Sequence, residues 1–135
     1  VCERVKAEGC VVHPDIQIGI TIETPAADIC VDQFVNEIDF VSIGSNDLAQ
    51  YLMAADRENV ELDYLLSPWQ PAVMRVIQHV IQVCKECGIE VSVCGEAGGE
   101  PEYLKHLIRN GLRIVSVSRA RVDMVRLAIS ETIIG

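Results

Sequence analysis

Two carboxylates, an arginine and a thiol stand where chemistry could happen. Glu23 follows the alternating run Ile16-Gln17-Ile18-Gly19-Ile20-Thr21-Ile22. Ser45, Asn46 and Asp47 follow Phe40-Val41-Ser42-Ile43-Gly44, and Cys94-Gly95-Glu96 closes Ile89-Glu90-Val91-Ser92-Val93. If each run is a strand of one parallel sheet, these residues gather at its C-terminal edge, where such folds hold their sites. Two carboxylates ending neighbouring strands can share a hard divalent cation such as Mg2+, which takes oxygen ligands and keeps room for substrate oxygens. The plain alternatives are a helix-start carboxylate for Glu23 and a cap for Asp47. Arg57 could grip a phosphate or carboxylate through two parallel hydrogen bonds. Its spacing alone favours a surface ion pair with Asp56 or Glu58. Cys94 could be a nucleophile, a general acid or a buried strand residue, and Gly95 beside it permits close approach of a ligand.

The elements that must position these residues follow from periodicity and punctuation. A helix over 1–9 stops at Gly9, and a strand covers 16–22. Thr24 and Pro25 suit the N-cap and first turn of a helix over about 25–36. A short strand covers 40–43. Ser45-Asn46-Asp47 offers caps for a helix from Leu48 to about Ala55, and a polar loop runs from Asp56 to Gln70. Pro71 opens the longest amphipathic stretch, with Val73, Val76, Ile77, Val80, Ile81 and Cys84 at helical spacing, ending at Gly88. The third strand covers 89–94. A Gly-rich turn over 95–99 precedes a helix from Pro101 to near Gly111. The fourth strand covers 113–117 and a last helix about 120–132. The order predicts an α/β fold of four parallel βα units with right-handed crossovers. Units of about 25–30 residues match the repeat of a (β/α)8 barrel of about 250 residues.

Composition narrows the rest. The 135 residues carry 11 Lys plus Arg against 20 Asp plus Glu, a net charge of -9, which argues against nucleic-acid and anionic-membrane surfaces. Half the residues are apolar and only 4% aromatic, so the core is built from aliphatic side chains. No apolar run reaches the roughly 18–20 residues of a membrane span. Val1-Cys2-Glu3-Arg4 shows neither an initiator methionine nor a secretory signal, which predicts a cytoplasmic chain, or a fragment of one, with reduced thiols. Cys84 and Cys87 form a CxxC inside an apparent helix, without a second such pair. They read as helix-face residues rather than a zinc or redox site. His13, His79 and His106 are scattered and assemble no catalytic triad.

Four runs carry a resemblance: Gly19-Ile20-Thr21-Ile22-Glu23-Thr24-Pro25-Ala26-Ala27, Phe40 through Tyr51, Ala54-Ala55-Asp56-Arg57-Glu58-Asn59, and Cys94-Gly95-Glu96. In order and spacing, across nearly the whole chain, they resemble the phosphoenolpyruvate (PEP)-utilising enzymes. The branch that Tyr51 and Pro68-Trp69-Gln70-Pro71-Ala72-Val73 favour is Enzyme I of the bacterial sugar phosphotransferase system, over PEP synthase and pyruvate phosphate dikinase. The resemblance implies that residues 1–135 are the second half of a PEP-binding (β/α)8 barrel. It implies Mg2+ as cofactor, with Glu23 and Asp47 as ligands. It implies Asn46 and Arg57 on the phosphoryl group, the backbone around Ser45 to Asp47 on the carboxylate, and Cys94 as the acid that protonates the enolate to pyruvate, with Gly95 giving the ligand room. The implied reaction moves the phosphoryl group of PEP to a histidine of a phosphohistidine domain or carrier protein.

Departures from the family pattern are mild at Ala49, Val93 and Ala97, and Ile114 stands where an acidic residue is common. Larger gaps are the phosphate-binding arginines of the first half-barrel and the Gly-rich Thr-Ser-His segment, neither of which is present. Half a barrel leaves two open strand edges, which predicts self-association or a homodimer. The competing expectations are a stand-alone PEP- and Mg2+-binding regulatory module without turnover, and a thiol-redox or zinc protein built on Cys84 and Cys87.

Overall fold

The computed structural model describes residues 2–132, with side chains from Glu3 onward. Helix α1 (Cys2–Ala7) leads through an irregular stretch to strand β1 (Gly19–Ile22). The strand is shorter than the alternation predicts. Ile18 exchanges hydrogen bonds with Asp39 instead, its N–H donating to Oδ2 and its carbonyl accepting from the Asp39 N–H, each at 2.7 Å. Thr24 caps the following helix as predicted, its hydroxyl accepting from the Ala27 N–H at 3.2 Å with Pro25 in the first turn. The predicted helix over 25–36 is broken into α2 (Pro25–Ile29) and α3 (Val31–Phe34). Cys30 leaves helical geometry at φ -103°, ψ 12°, between β-branched Ile29 and Val31, which hold a helix weakly.

Strand β2 (Phe40–Gly44) runs directly into α4 (Ser45–Met53). The predicted cap residues Ser45, Asn46 and Asp47 are therefore the first helical turn, and Gly44 holds the cap position. The predicted loop contains a 3-10 turn, Val60–Leu66. Helix α5 (Pro71–Cys87) buries Val73, Ile77, Val80, Ile81 and Cys84, and ends at Gly88 in the left-handed conformation, φ 70°. Strand β3 (Glu90–Cys94) leads through a 3-10 turn, Ala97–Gly99, to α6 (Pro101–Arg109). Strand β4 is only Ile114–Val115, although the Ser116 N–H still donates to the Val93 carbonyl at 2.9 Å. A 3-10 turn, Arg119–Arg121, precedes α7 (Val122–Ser130).

The four strands pair in parallel in the order β1-β2-β3-β4, each one joined to the next by a helical crossover. Pairing aligns Ile22, Ile43, Val93 and Val115 in one row, and Thr21, Ser42, Ser92 and Ile114 in the next. Successive side chains point to opposite faces. Ile22, Ile43 and Val93 are fully buried in the core with Val31, Leu48, Val73, Ile77 and Val80 from the helices. The other face carries exposed Thr21 and Ile114 and half-buried Ser42 and Ser92. A parallel sheet is ordinarily covered on both faces. Here one face and the outer edges of β1 and β4 have no cover among the described residues, as expected of half a (β/α)8 barrel. A smaller cluster of Leu104, Ile108, Val125 and Ala128 packs α6 on α7. No helix is long and apolar enough to cross a membrane among the described residues.

Candidate functional site

The register aligns Gly44 with Cys94 at the C-terminal ends of β2 and β3. Two hydrogen bonds fasten these ends together. The Ser45 hydroxyl donates to the Cys94 carbonyl at 2.8 Å, and the Glu96 N–H donates to Asn46 Oδ1 at 3.1 Å. Gly95 makes the second bond possible. Its φ is +96°, and a Cβ there would stand 2.5 Å from Ser45 Oγ and 2.9 Å from Asn46 Oδ1. Ser45 and Asn46 thus spend their side chains across the sheet rather than on capping.

The Cys94 thiol donates to the Ile43 carbonyl at 3.4 Å and lies 3.5 Å from the Ser42 hydroxyl, which can donate to it. Cys94 is half-buried on the polar face of the sheet, so its proton can reach a ligand seated over the strand ends.

Glu23, half-buried just after β1, lies against Gly44, where a Cβ would stand 2.6 Å from Glu23 Cγ and Oε1. Its carboxylate has no hydrogen bond or ion pair among the described residues. Asp47, one strand over, pairs with Arg57 through Oδ1. The two carboxylates are oxygen donors on adjacent strand ends, one of them unpaired, and this set suits a hard divalent cation.

Arg57 does not pair with Asp56 or Glu58 as its spacing suggested. Ala54 caps α4 in the left-handed conformation, φ 50°, and turns the chain back along the helix. Arg57 therefore reaches Asp47 with Nη2 and Gln50 Oε1 with Nε, the latter at 3.0 Å. Asp56 instead accepts from the Glu58 N–H at 2.9 Å. Two donors of the guanidinium are used and the others remain for a ligand.

Two cavities adjoin at these strand ends. One, about 600 Å3, is lined by Asn46, Arg57, Asp63, Tyr64, Ser67 and Glu96 among others. The second, about 500 Å3, is lined by Asn46, Cys94, Gly95, Glu96, Ser116, Ser118 and Arg121, with Val117. Asn46 and Glu96 face both. The structure thus brings Ser45, Asn46, Asp47, Arg57, Cys94 and Gly95 to one place, with Glu23 beside Gly44. Sequence reasoning missed Arg121 and Gln50. The position of Arg121 just after the fourth strand was the available signal.

The CxxC pair is structural. Cys84 is fully buried in the core and Cys87 exposed. Burial, and secondarily the neighbouring Cys87, push the Cys84 thiol up to about 11, the reverse of an activated thiol. His79 accompanies buried Asp28 at 2.8 Å, and His106 lies beside Trp69, their ring centres 6.0 Å apart, both away from the strand ends.

Comparison with known proteins agrees with this architecture. Residues 1–133 match the family described as PEP-utilising enzyme, PEP-binding domain. A probable phosphoenolpyruvate synthase of Pyrococcus abyssi is 41% identical over 130 residues, covering 96% of this chain and 16% of that protein. A phosphoenolpyruvate-protein phosphotransferase of Streptococcus equinus is 46% identical over 123 residues, covering 91% of this chain and 21% of that protein. The chain thus spans about a sixth to a fifth of these relatives. Among solved structures, a citrate lyase from Burkholderia xenovorans LB400 superposes with a TM-score of 0.63 at 18% identity, covering 93% of this chain and 42% of that one. A HpcH/Hpal aldolase/citrate lyase family protein from Burkholderia cenocepacia J2315 gives 0.61 at 17%, covering 86% and 42%. These last two speak for the fold alone. With its strand-end constellation and a match along nearly its whole length, the chain belongs to the PEP-utilising enzymes, as the C-terminal part of their PEP-binding barrel.

Proposed function

We propose that this chain is the PEP-binding part of a phosphotransferase that moves the phosphoryl group of PEP to a histidine and releases pyruvate. The observation that carries the reading is the fastening of the β2 and β3 ends. It sets Asn46 and the Cys94 thiol at two adjoining cavities, one of which Arg57 also lines. Arg57 meets the phosphoryl group with its remaining N–H donors, and backbone N–H groups at the start of α4 receive the carboxylate. A Mg2+ ion held by Glu23 and Asp47 would neutralise charge on the phosphoryl oxygens. As the phosphoryl group leaves, the enol P–O bond breaks and a P–N bond forms on the acceptor histidine. The Cys94 S–H proton then goes to the methylene carbon of the enolate, giving pyruvate and a thiolate. A histidine of a phosphohistidine domain or of a carrier protein is the proposed acceptor, supported by the likeness to the Streptococcus equinus phosphotransferase.

Titration calorimetry of the protein as encoded tests this. PEP with Mg2+ should give saturable heat, weakened about tenfold or more in Glu23→Gln. The absence of binding at millimolar PEP would overturn the reading. Binding without turnover is the second reading. It is distinguished by the absence of pyruvate formation when a phosphoryl acceptor is supplied. The uncovered outer edges of β1 and β4 support self-association of residues 1–135 made alone. Sedimentation of that piece as a monodisperse monomer would count against it.

A further inference from the structure

We propose that Arg121 is a second anion-binding side chain of this site, one that grips the carboxylate of the three-carbon acid from the β4 side while Arg57 meets the phosphoryl group from the other. The inference rests on the PEP-binding reading above and deepens it.

Arg121 closes the 3-10 turn that follows β4 and lines the cavity with Cys94, Gly95, Ser116 and Ser118. Its side chain is held there. Nη1 donates to the Gly99 carbonyl at 3.0 Å. The stem lies over Gly99 so closely that a Cβ at that position would stand 2.6 Å from Arg121 Cδ. The glycines of the Gly-rich turn therefore have separate tasks. Gly95 admits Ser45 and Asn46, and Gly99 admits Arg121. One bond to a carbonyl leaves four N–H donors of a planar fork, the geometry that receives a carboxylate with two parallel bonds.

Charge points the same way. Glu23, Asp47 and Glu96 gather at these strand ends, against the cations Arg57 and Arg121. Arg57 is already paired with Asp47, whereas Arg121 is in no ion pair among the described residues. An acid bearing both a phosphoryl group and a carboxylate brings further negative charge, and Arg121 is the cation still free to meet it. The two cavities share Asn46 and Glu96, so a ligand seated over Asn46 has Arg57 on one side and Arg121 on the other. A role limited to fastening the Gly99 carbonyl would account for one N–H and leave the rest of the fork without a function.

Titration calorimetry on the protein as encoded, with Mg2+ present, tests this with three probes: PEP, pyruvate and inorganic phosphate. Arg121→Met should weaken PEP and pyruvate about tenfold or more and leave phosphate within about twofold. Arg121→Lys, which keeps the charge but not the fork, should fall between. Gly99→Ala keeps Arg121 but displaces its stem, and should weaken the same two probes; with Arg121→Lys it carries the test if Arg121→Met does not fold. Pyruvate and PEP binding unchanged in these variants would overturn the inference and leave the PEP reading standing. Loss of phosphate in place of pyruvate would overturn the carboxylate assignment. Absence of PEP binding to the unaltered protein would overturn the PEP reading itself, and this inference with it.

Discussion

The hydroxyl of Ser45 donates across 2.8 Å to the carbonyl oxygen of Cys94, joining the residue that opens α4 to the residue that ends β3. Ser45 is 3% exposed, so water cannot readily replace the donor. Ser45→Ala should destabilise the fold by about 1 kcal/mol, a typical net value for one such bond. It should also weaken PEP binding, because Asn46 and Gly95 lose a shared support. Urea unfolding and calorimetry on the same preparations check both.

Gly95 meets two constraints that Gly88 meets only singly. Both have positive φ, +96° and +70°. Among the described residues a Cβ at Gly88 meets nothing within 4 Å, whereas one at Gly95 strikes Ser45 and Asn46. Gly88→Ala should cost about 1–2 kcal/mol from backbone conformation alone. Gly95→Ala should cost more, and should alone abolish PEP binding. Equal costs with binding retained would refute the close approach.

Cys94 as proton donor predicts a separable defect. Cys94→Ala removes the S–H proposed to protonate the enolate carbon but leaves Asn46 and Arg57 in place. Calorimetric affinity for PEP should stay within a few-fold. Exchange of pyruvate methyl protons with deuterated water, followed by NMR, should fall by about 100-fold or more, the usual scale of a general acid or base. Exchange at the unaltered rate would assign the proton to another group.

Arg57 and the proposed metal compete for one carboxylate. Asp47 Oδ1 is occupied by Arg57, so a cation drawing on Asp47 weakens that pair and frees the guanidinium for the phosphoryl group. Mg2+ and PEP should therefore bind with positive coupling, each raising the affinity of the other by the same factor. Removing Mg2+ with a chelator should lower PEP affinity by about tenfold or more, and Asp47→Asn should flatten that dependence. Independent binding of the two would break the link.

Much of the placement of this candidate site was legible because strand ends announce themselves. Glu23, Asp47 and Cys94 each follow a β-branched run, and four βα units with their turn residues imply a parallel sheet. What periodicity could not reveal is how side chains are spent. Ser45 and Asn46 look like caps by type, yet β2 enters α4 without a loop and turns both toward β3. The partner of Arg57 depends on the left-handed residue Ala54, which no local pattern marks. Helix 25–36 broke at Cys30 because amphipathic spacing is silent about a bend, and β4 shortened because an edge strand has one neighbour to fix its length. Arg121 had only its place just after the fourth strand to mark it, and its seat against Gly99 is a product of the fold.

Alkaline pH should expose a weakness in the core. Burial, then the nearby Cys87, push Cys84 from 9.0 to about 11, and burial, then Glu100, push Tyr103 from 10.0 to about 12. Both groups keep their protons in the folded state at pH values where the unfolded chain releases them. Their contribution is fully present below pH 9 and is lost as pH rises toward 12, on the order of 2 kcal/mol for each group. The Tyr103 hydroxyl is buried without a hydrogen-bond partner among the described residues. Tyr103→Phe removes that unpaired group and retains the edge-on packing against Trp69, where ring centres lie 5.0 Å apart at 85°. Its melting temperature at pH 7 should equal or exceed that of the unaltered protein, and its loss of stability between pH 10 and 12 should be shallower. A marked drop at pH 7 would mean that the hydroxyl makes a stabilising bond, and the same thermal melts across pH read both outcomes.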